Sequence, residues 1–454
     1  MTGSRLRRGR GHRHAIVIVA AAAAGALLTG CSDSLPSLPK LTDLNPFAEK
    51  QVPLPGKRVS VMEESNKVGG ELASADKPIS LPPLTSNESW SQPGGTAANA
   101  PGHLALAASV KTVWSADAGT GSSKYGKLTA SPIVFGGKVF TLDAAGQVTA
   151  FATSGGGAVW RASVVPEGEK TAQKGFGGGL AADNGRLYAA TGFGSIVALD
   201  PASGKKIWEK LLGVPFRASP TASADRVYAV TSDGNLYSLN GADGAENWTF
   251  RGLPEKASII SNSSPAVDGD TVVVPFTSGD LVALKVSTGQ PIWNESLART
   301  RTASSLTAMS DAARPAIDGG TVFAVGHAGR MIATAGKSGE RLWSLSVPST
   351  QQPWVAGESI FVVDTAGHLM AITRRDGKVQ WTVKLPGAGT WSGPVLAGGQ
   401  LWLASSQGVL AHVDAATGRV AGSQDLGSPV YIAPIVAAGR MYVLTDKARL
   451  IALN

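Results

Sequence analysis

The sequence predicts an all-β protein, an eight-bladed β-propeller of four-stranded antiparallel blades closed by pairing of its N- and C-terminal strands. Three observations predict it. Tryptophan recurs at Trp114, Trp160, Trp208, Trp248, Trp293, Trp343 and Trp381, in steps of 38 to 50 residues, about the length of one four-stranded blade. The text leading to it repeats without gaps, as in IVALDPASGKKIW, LYSLNGADGAENW, LVALKVSTGQPIW and LMAITRRDGKVQW. Finally, 56 glycines and 26 prolines beside only 16% charged residues suit short strands and tight turns better than solvated helices.

The chain begins with a basic stretch holding Arg5, Arg7, Arg8, Arg10 and Arg13, followed by an apolar run of 14 residues from Ala15 to Leu28. At ~1.5 Å per residue such a run is too short for a ~30 Å hydrocarbon core. With the small residues that follow, residues 1–30 read as a secretory signal peptide. Without those five arginines the formal charge falls from +8 to +3. No Lys/Arg run with interleaved aromatics occurs elsewhere, which argues against nucleic acid as a partner. Cys31 is the sole cysteine, so no disulfide forms within the chain. The string Leu28-Thr29-Gly30-Cys31 resembles the lipobox of bacterial lipoproteins, which implies lipidation (palmitate among the acyl chains) at Cys31. Each buried methylene then adds ~0.8 kcal/mol of membrane anchoring. Ser32 directly after the cysteine, with Asp33 one later, favours outer-membrane sorting in such lipoproteins.

Residues 31–104 are rich in Pro, Ser and scattered charge without a sustained period of 2 or 3.6, and read as a lipidated cysteine and extended tether. The propeller occupies 105–454. Six units open on a short strand led by proline (Pro132, Pro220, Pro265, Pro315, Pro394, Pro434), where the missing N–H costs no ladder bond; a seventh opens at GGGLAADNGRLYAA without it and an eighth at PWVAGESIFVV, with Trp354. A hairpin follows, and then a second hairpin whose turn glycine (Gly204, Gly244, Gly289, Gly339, Gly377) suits a positive φ. Strand starts of this kind number eight in all. The last unit stops at Asn454 before its own fourth strand, which the segment around Trp114 supplies, removing the exposed edges. In the seventh unit Ala421 falls in the tryptophan slot and marks the loosest blade junction.

The repeated tryptophans read as packing between blades, worth ~3–5 kcal/mol each on truncation. Trp354, Trp391 and Trp402 lie outside the repeat slot and are either surface contacts or core. Of the six histidines, His327 and His368 occupy equivalent strand-end turns, and none shows metal-ligand spacing. Gly175 to Gly179 lacks the Lys-Ser/Thr of a phosphate loop and reads as the start of a strand. Asp268-Gly269-Asp270 reads as a hairpin turn and not a calcium loop, which needs more oxygen ligands.

The repeat resembles the pyrroloquinoline-quinone-like propeller repeat, Ala-x-Asp-x-x-(Ser/Thr)-Gly-x-x-x-Trp. With the lipobox, the WSQPGG segment at 90–95 and GHAGRMIATAGKSGERLW, the whole chain is similar to the BamB family of outer-membrane assembly lipoproteins. That resemblance implies a non-enzymatic scaffold of the outer-membrane β-barrel assembly (BAM) complex without a cofactor, lipid-anchored at the periplasmic face. It implies the POTRA domains of BamA and other BAM subunits as partners, with unfolded outer-membrane proteins as clients. In that family the BamA contact includes loops into two adjacent middle blades. One carries a Leu/Arg cluster, the other a Leu-Ser-Asp string followed by a second acid. Here the second loop reads Met309-Ser310-Asp311 and continues with Ala312 and Ala313, keeping the first acid and lacking the second. The first reads Ser258-Ile259-Ile260-Ser261, with an apolar pair and no arginine. The partner residues so implied are Asp311, Ile259 and Ile260. Two alternatives remain: a quinoprotein dehydrogenase, whose family adds a vicinal cysteine pair and calcium ligands to the same repeat, or a propeller lipoprotein of another envelope complex.

Overall fold

The computed structural model describes residues 78–124, 126–169, 177–216, 218–252, 263–297 and 312–454. Eight antiparallel four-stranded sheets form a ring, and the protein is an eight-bladed β-propeller. Blades 1 to 7 span 133–163, 178–211, 221–251, 266–296, 316–345, 354–384 and 391–425, each with its strands in sequence order. Blade 8 combines three strands within 435–453 with Thr112–Asp117 from the other end of the chain. Its closing pair runs Trp114 against Ala452 and Asp117 against Arg449. First strands of neighbouring blades approach one another around the axis, so the first strand is innermost and the tryptophan-bearing strand outermost.

Register explains the repeat text. The alanine of each Ala-Leu-Asp faces the tryptophan across the last hairpin, as Ala150 faces Trp160, Ala198 faces Trp208 and Ala371 faces Trp381. A small residue there leaves room for the indole, and a register shift follows it in each pair. The indole then crosses to the next blade. Trp160 Nε1 donates to the Pro201 carbonyl at 3.1 Å, and its ring lies where a Cβ on Gly204 would come within 2.5 Å. Gly204 also has φ +74°, so the turn glycine serves both the left-handed backbone and the close approach. Asp200, three residues before Ser203, binds the Ser203 hydroxyl at 2.8 Å and the Ala202 and Ser203 amides. The Ser203 hydroxyl bond, foremost, holds that carboxyl below its usual range. Corresponding indole bonds run from Trp114, Trp208, Trp248, Trp293, Trp343 and Trp381. All seven repeat tryptophans are therefore inter-blade packing, and Trp114 joins blade 8 to blade 1.

The junction from blade 7 to blade 8 differs, and here the sequence reading needs correction. The slot belongs to Gly422, not Ala421, because Gly418 precedes Gly422 by four residues as Gly377 precedes Trp381. Gly422 pairs with His412, whose imidazole fills the vacated room: a Cβ on Gly422 would meet His412 Nε2 at 2.6 Å. His412 stacks on Trp402 at 4.7 Å. Trp354, Trp391 and Trp402 are all buried, which decides for core over surface contact. Pro394 lies within the strand Trp391–Ala397 instead of at its start, and the register shifts between Ser392 and Val395, as a residue without an N–H requires.

The tether reading extends too far. Residues 78–104, expected to be extended tether, lie packed on the propeller, because the innermost strands present unpaired edges that this segment satisfies. It visits the blades in ring order. Asn87 binds the Val436 carbonyl and accepts from Ala438 N in blade 8, and Trp90 pairs with Val134 of blade 1 in both directions. The Ser91 carbonyl takes Ala182 N of blade 2. Gln92, buried, donates to the carbonyls of Ala182 and of Ala222 in blade 3 and accepts from Ala222 N. The Ala97 and Ala98 carbonyls take Val267 N of blade 4 and Ile317 N of blade 5. Gly102 O accepts from Trp354 Nε1 of blade 6, and Leu104 N binds Leu396 O of blade 7. His103 locks the end of this strap: Nε2 accepts from Gly399 N at 2.9 Å, so Nδ1 carries the proton it gives to Pro82 O at 2.7 Å.

Candidate functional site

The strap forms one wall of an axial cavity of about 240 Å³, lined from it by Trp90 and Pro93 and from the blades by segments just before or within the innermost strands. Trp90 is only 2% exposed and stacks on Trp354, ring centroids 6.2 Å apart at 22°. Leu128, Val395 and Ile432 add apolar wall, and the exposed Tyr431 also borders the cavity.

The polar groups come from one repeat position. The residue before the leading proline is small in most blades (Ser131, Ser219, Ser264, Gly393, Ala433) but is Arg314 in blade 5 and Gln352 in blade 6. Arg314 Nη1 donates to Gln352 Oε1 at 3.0 Å, and Gln352 Nε2 donates to the Asn99 carbonyl of the strap at 2.6 Å. The arginine is thereby held by the strap through one glutamine. Arg314 Nε is sealed from solvent without a partner, as is Trp90 Nε1. Burial pulls the Arg314 pKa down to about 10, which leaves it cationic at neutral pH. Among the described lining residues none is acidic. Sequence reasoning passed over Arg314 and Gln352, although their departure from the small-residue consensus was there to be read.

The profile of the family described as "Outer membrane protein assembly factor BamB" matches residues 144–383 and 372–454. The chain belongs to the BamB family. The BamB of Burkholderia pseudomallei is 25% identical over 203 residues, 44% of this chain and 50% of that protein. The BamB of Shewanella oneidensis is 27% identical over 204 residues, 44% of this chain and 51% of its own length. The chain spans 40 to 51% of the length of the curated relatives it matches. Among solved structures, BamB from Moraxella catarrhalis superposes with TM-score 0.65 at 18% identity, covering 76% of this chain and all of that one. The quinohemoprotein alcohol dehydrogenase of Comamonas testosteroni does so with TM-score 0.64 at 12% identity, covering 82% and 81%. At such identities these two matches speak to fold alone.

A calcium-bound quinone, the cofactor of the dehydrogenase alternative, finds no carboxylate among the described residues that line this cavity. Calcium takes six to eight oxygen ligands, with carboxylates prominent among them, and the described lining offers amides and hydroxyls without a carboxylate. Cys31, Ile259, Ile260 and Asp311, the residues assigned by resemblance to the BamB family, lie outside the described residues. What is described is the flank of both loops. Ser263, which follows the segment of Ile259 and Ile260, donates from Oγ to the Ala312 carbonyl at 2.6 Å. Ala312 directly follows Asp311, and Ala313 N binds Val325 O. The ends of the loops leading into blades 4 and 5 are therefore tied together.

Proposed function

We propose that the chain is a non-enzymatic scaffold subunit of the BAM complex, anchored to the periplasmic face of the outer membrane by lipid on Cys31. In this reading it binds the POTRA domains of BamA through the paired loops before blades 4 and 5, with Asp311, Ile259 and Ile260 as contact residues. Other BAM subunits and unfolded outer-membrane proteins are its further partners. The observation that carries the proposal is the family match across the propeller. The Ser263–Ala312 bond supports treating the two loops as one surface, and the carboxylate-free cavity lining speaks against quinone and calcium chemistry.

The test is a pull-down against the POTRA domains of BamA from the same cell, with Asp311→Arg as the variant. Retention of the wild type, and its loss in the variant with an intact circular dichroism spectrum, is the expected result. Absence of retention in both would overturn the BamA assignment and redirect the search to another envelope complex. Calcium-dependent dye reduction by the purified protein would overturn the non-enzymatic reading.

A further inference from the structure

We propose that the cleft between blades 3 and 4 is a socket for one aromatic side chain of a partner protein, in continuity with the surface assigned above to the loops before blades 4 and 5, on which assignment it rests. Two departures from the repeat make the cleft. Four residues after the tryptophan slot the seven other blades carry an aliphatic residue, as in Leu212, Leu297 and Leu385, and blade 3 carries Gly252. The backbone place is the same, since Gly252 N binds Gly234 O as Leu297 N binds Gly279 O. The second departure is Phe276, which opens the turn between the second and third strands of blade 4. Six other blades have Asp, Ser or Thr there and blade 5 has Gly326. Those polar residues cap the turn, as Asp143 takes the amides of Ala145 and Gln147 and Ser405 takes that of Val409. Phe276 turns inward instead: a Cβ on Gly252 would come within 2.5 Å of its Cε1. Its ring meets Phe250 of blade 3 with centroids 6.2 Å apart and planes at 45°. Beside this pair a cleft of about 470 Å³ stays open.

The lining selects the occupant. Phe250, Phe276, Val282 and Ile292 supply apolar wall, and all of them keep surface in reach of a ligand, from 4% for Phe276 to 36% for Ile292, with Phe250 half-buried. An aromatic side chain buries ~150–250 Å² and favours tilted contacts of the kind the two phenylalanines already make. The polar groups of the lining are Arg251, Ser278, Asp280 and Asn294. Arg251 and Asp280 carry opposite charges, so the lining favours neither an anion nor a cation. Asp280 accepts from the Ser278 hydroxyl at 2.7 Å, and Arg251 and Asn294 are exposed. Polar groups around an apolar floor suit a side chain that arrives on a peptide backbone, whose amides answer them, better than a free hydrocarbon. Position fits the same partner. The Ala312–Gly326 bridge ties the loop into blade 5 to the turn that Gly326 begins, and Phe276 begins the equivalent turn of blade 4. Gly252 is the last described residue before the segment leading into blade 4. The cleft therefore opens at the end of the blades where both loops lie. An aromatic anchor seated in such a pocket is how a few residues come to carry most of an interface's binding energy.

The experiment has two arms on the full chain. Calorimetry measures binding of the POTRA domains of BamA to the wild type, to Asn294→Phe, which plugs the cleft from an exposed position, and to Ile292→Ser, which removes apolar wall. Val159→Ser changes the same repeat position in blade 1, where the side chain is 50% exposed, and is the control. Both cleft variants should weaken binding about tenfold or more, with Val159→Ser unchanged and all circular dichroism spectra alike. In the second arm, methyl NMR follows Ile292 and Val282 while N-acetyl-tryptophanamide is added. Shifts are expected in the wild type and not at Val282 in Asn294→Phe. POTRA binding that both cleft variants retain, or that Val159→Ser weakens equally, overturns the socket and leaves the BamA assignment standing. Failure of the wild type to bind the POTRA domains overturns that assignment, and the methyl shifts then decide the socket alone. Absence of shifts in the wild type, or equal shifts at Val282 in Asn294→Phe, overturns the socket whatever the POTRA result.

Discussion

Trp90→Ala tests whether the strap belongs to the folded propeller. The side chain is 2% exposed and stacked on Trp354. Truncating such a residue costs ~3–5 kcal/mol, of which the aromatic pair accounts for ~0.5–1.5. If the strap stays docked until the ring unfolds, the whole loss appears in the urea midpoint. If it releases first, the loss in global stability is capped at its docking free energy. Local opening of the strap then rises by the whole loss, roughly a hundredfold or more at 1.4 kcal/mol per decade. Urea unfolding, combined with thermolysin cleavage within residues 78–104, reads both routes. A double-mutant cycle with Trp354→Ala should return a coupling of ~0.5–1.5 kcal/mol. An unchanged midpoint together with unchanged cleavage would refute the reasoning, because a tether lying loosely on the blades would behave in that way.

Gly289→Ala places a Cβ 2.5 Å from Trp248 Cε3 at φ +71°. It should cost more than the ~1–2 kcal/mol of left-handed strain alone, whereas Gly269→Ala, at φ +54° in open space, should cost only the strain; thermal unfolding of the pair separates the two terms. Burial lowers the pKa of His412, so below its unfolded value of ~6.5 the unfolded chain takes up the proton first and stability falls until the folded imidazole also protonates. Comparing Tm between pH 8 and 5, His412→Gln should show a shallower decline than the wild type.

The blades were legible because their signal repeats. A tryptophan opposite a small residue, crossing onto the next glycine, recurs at seven of the eight junctions, and seven copies outweigh any local ambiguity. Blade 7 was misread by one residue because its ring sits on the partner strand: His412 stands where other blades have a small residue and fills the room beside Gly422, leaving the slot without a side chain to mark it. The strap was illegible for the opposite reason. Its attachments are mostly backbone bonds made once each, so Pro- and Ser-rich text carries no period to betray them. Gln92 and Asn99 look like ordinary linker residues until the carbonyls of Ala182, Ala222 and Pro315 are placed beside them. Arg314 was visible only as an exception to a consensus, and its meaning needed Gln352 of the neighbouring blade. The loops assigned to partner binding were named by resemblance alone.

The order of synthesis gives the strap another consequence. Residues 78–104 leave the ribosome before any blade, yet their partners run from Val134 to Ala438, and Thr112–Asp117 waits for the strand that ends at Leu453. An incomplete ring therefore leaves both its own inner edges and this segment without their full set of partners. Contacts of such sequence separation are slow to form. Because Thr112–Asp117 pairs with Arg449–Leu453, the ring closes only when segments from the two ends of the propeller meet.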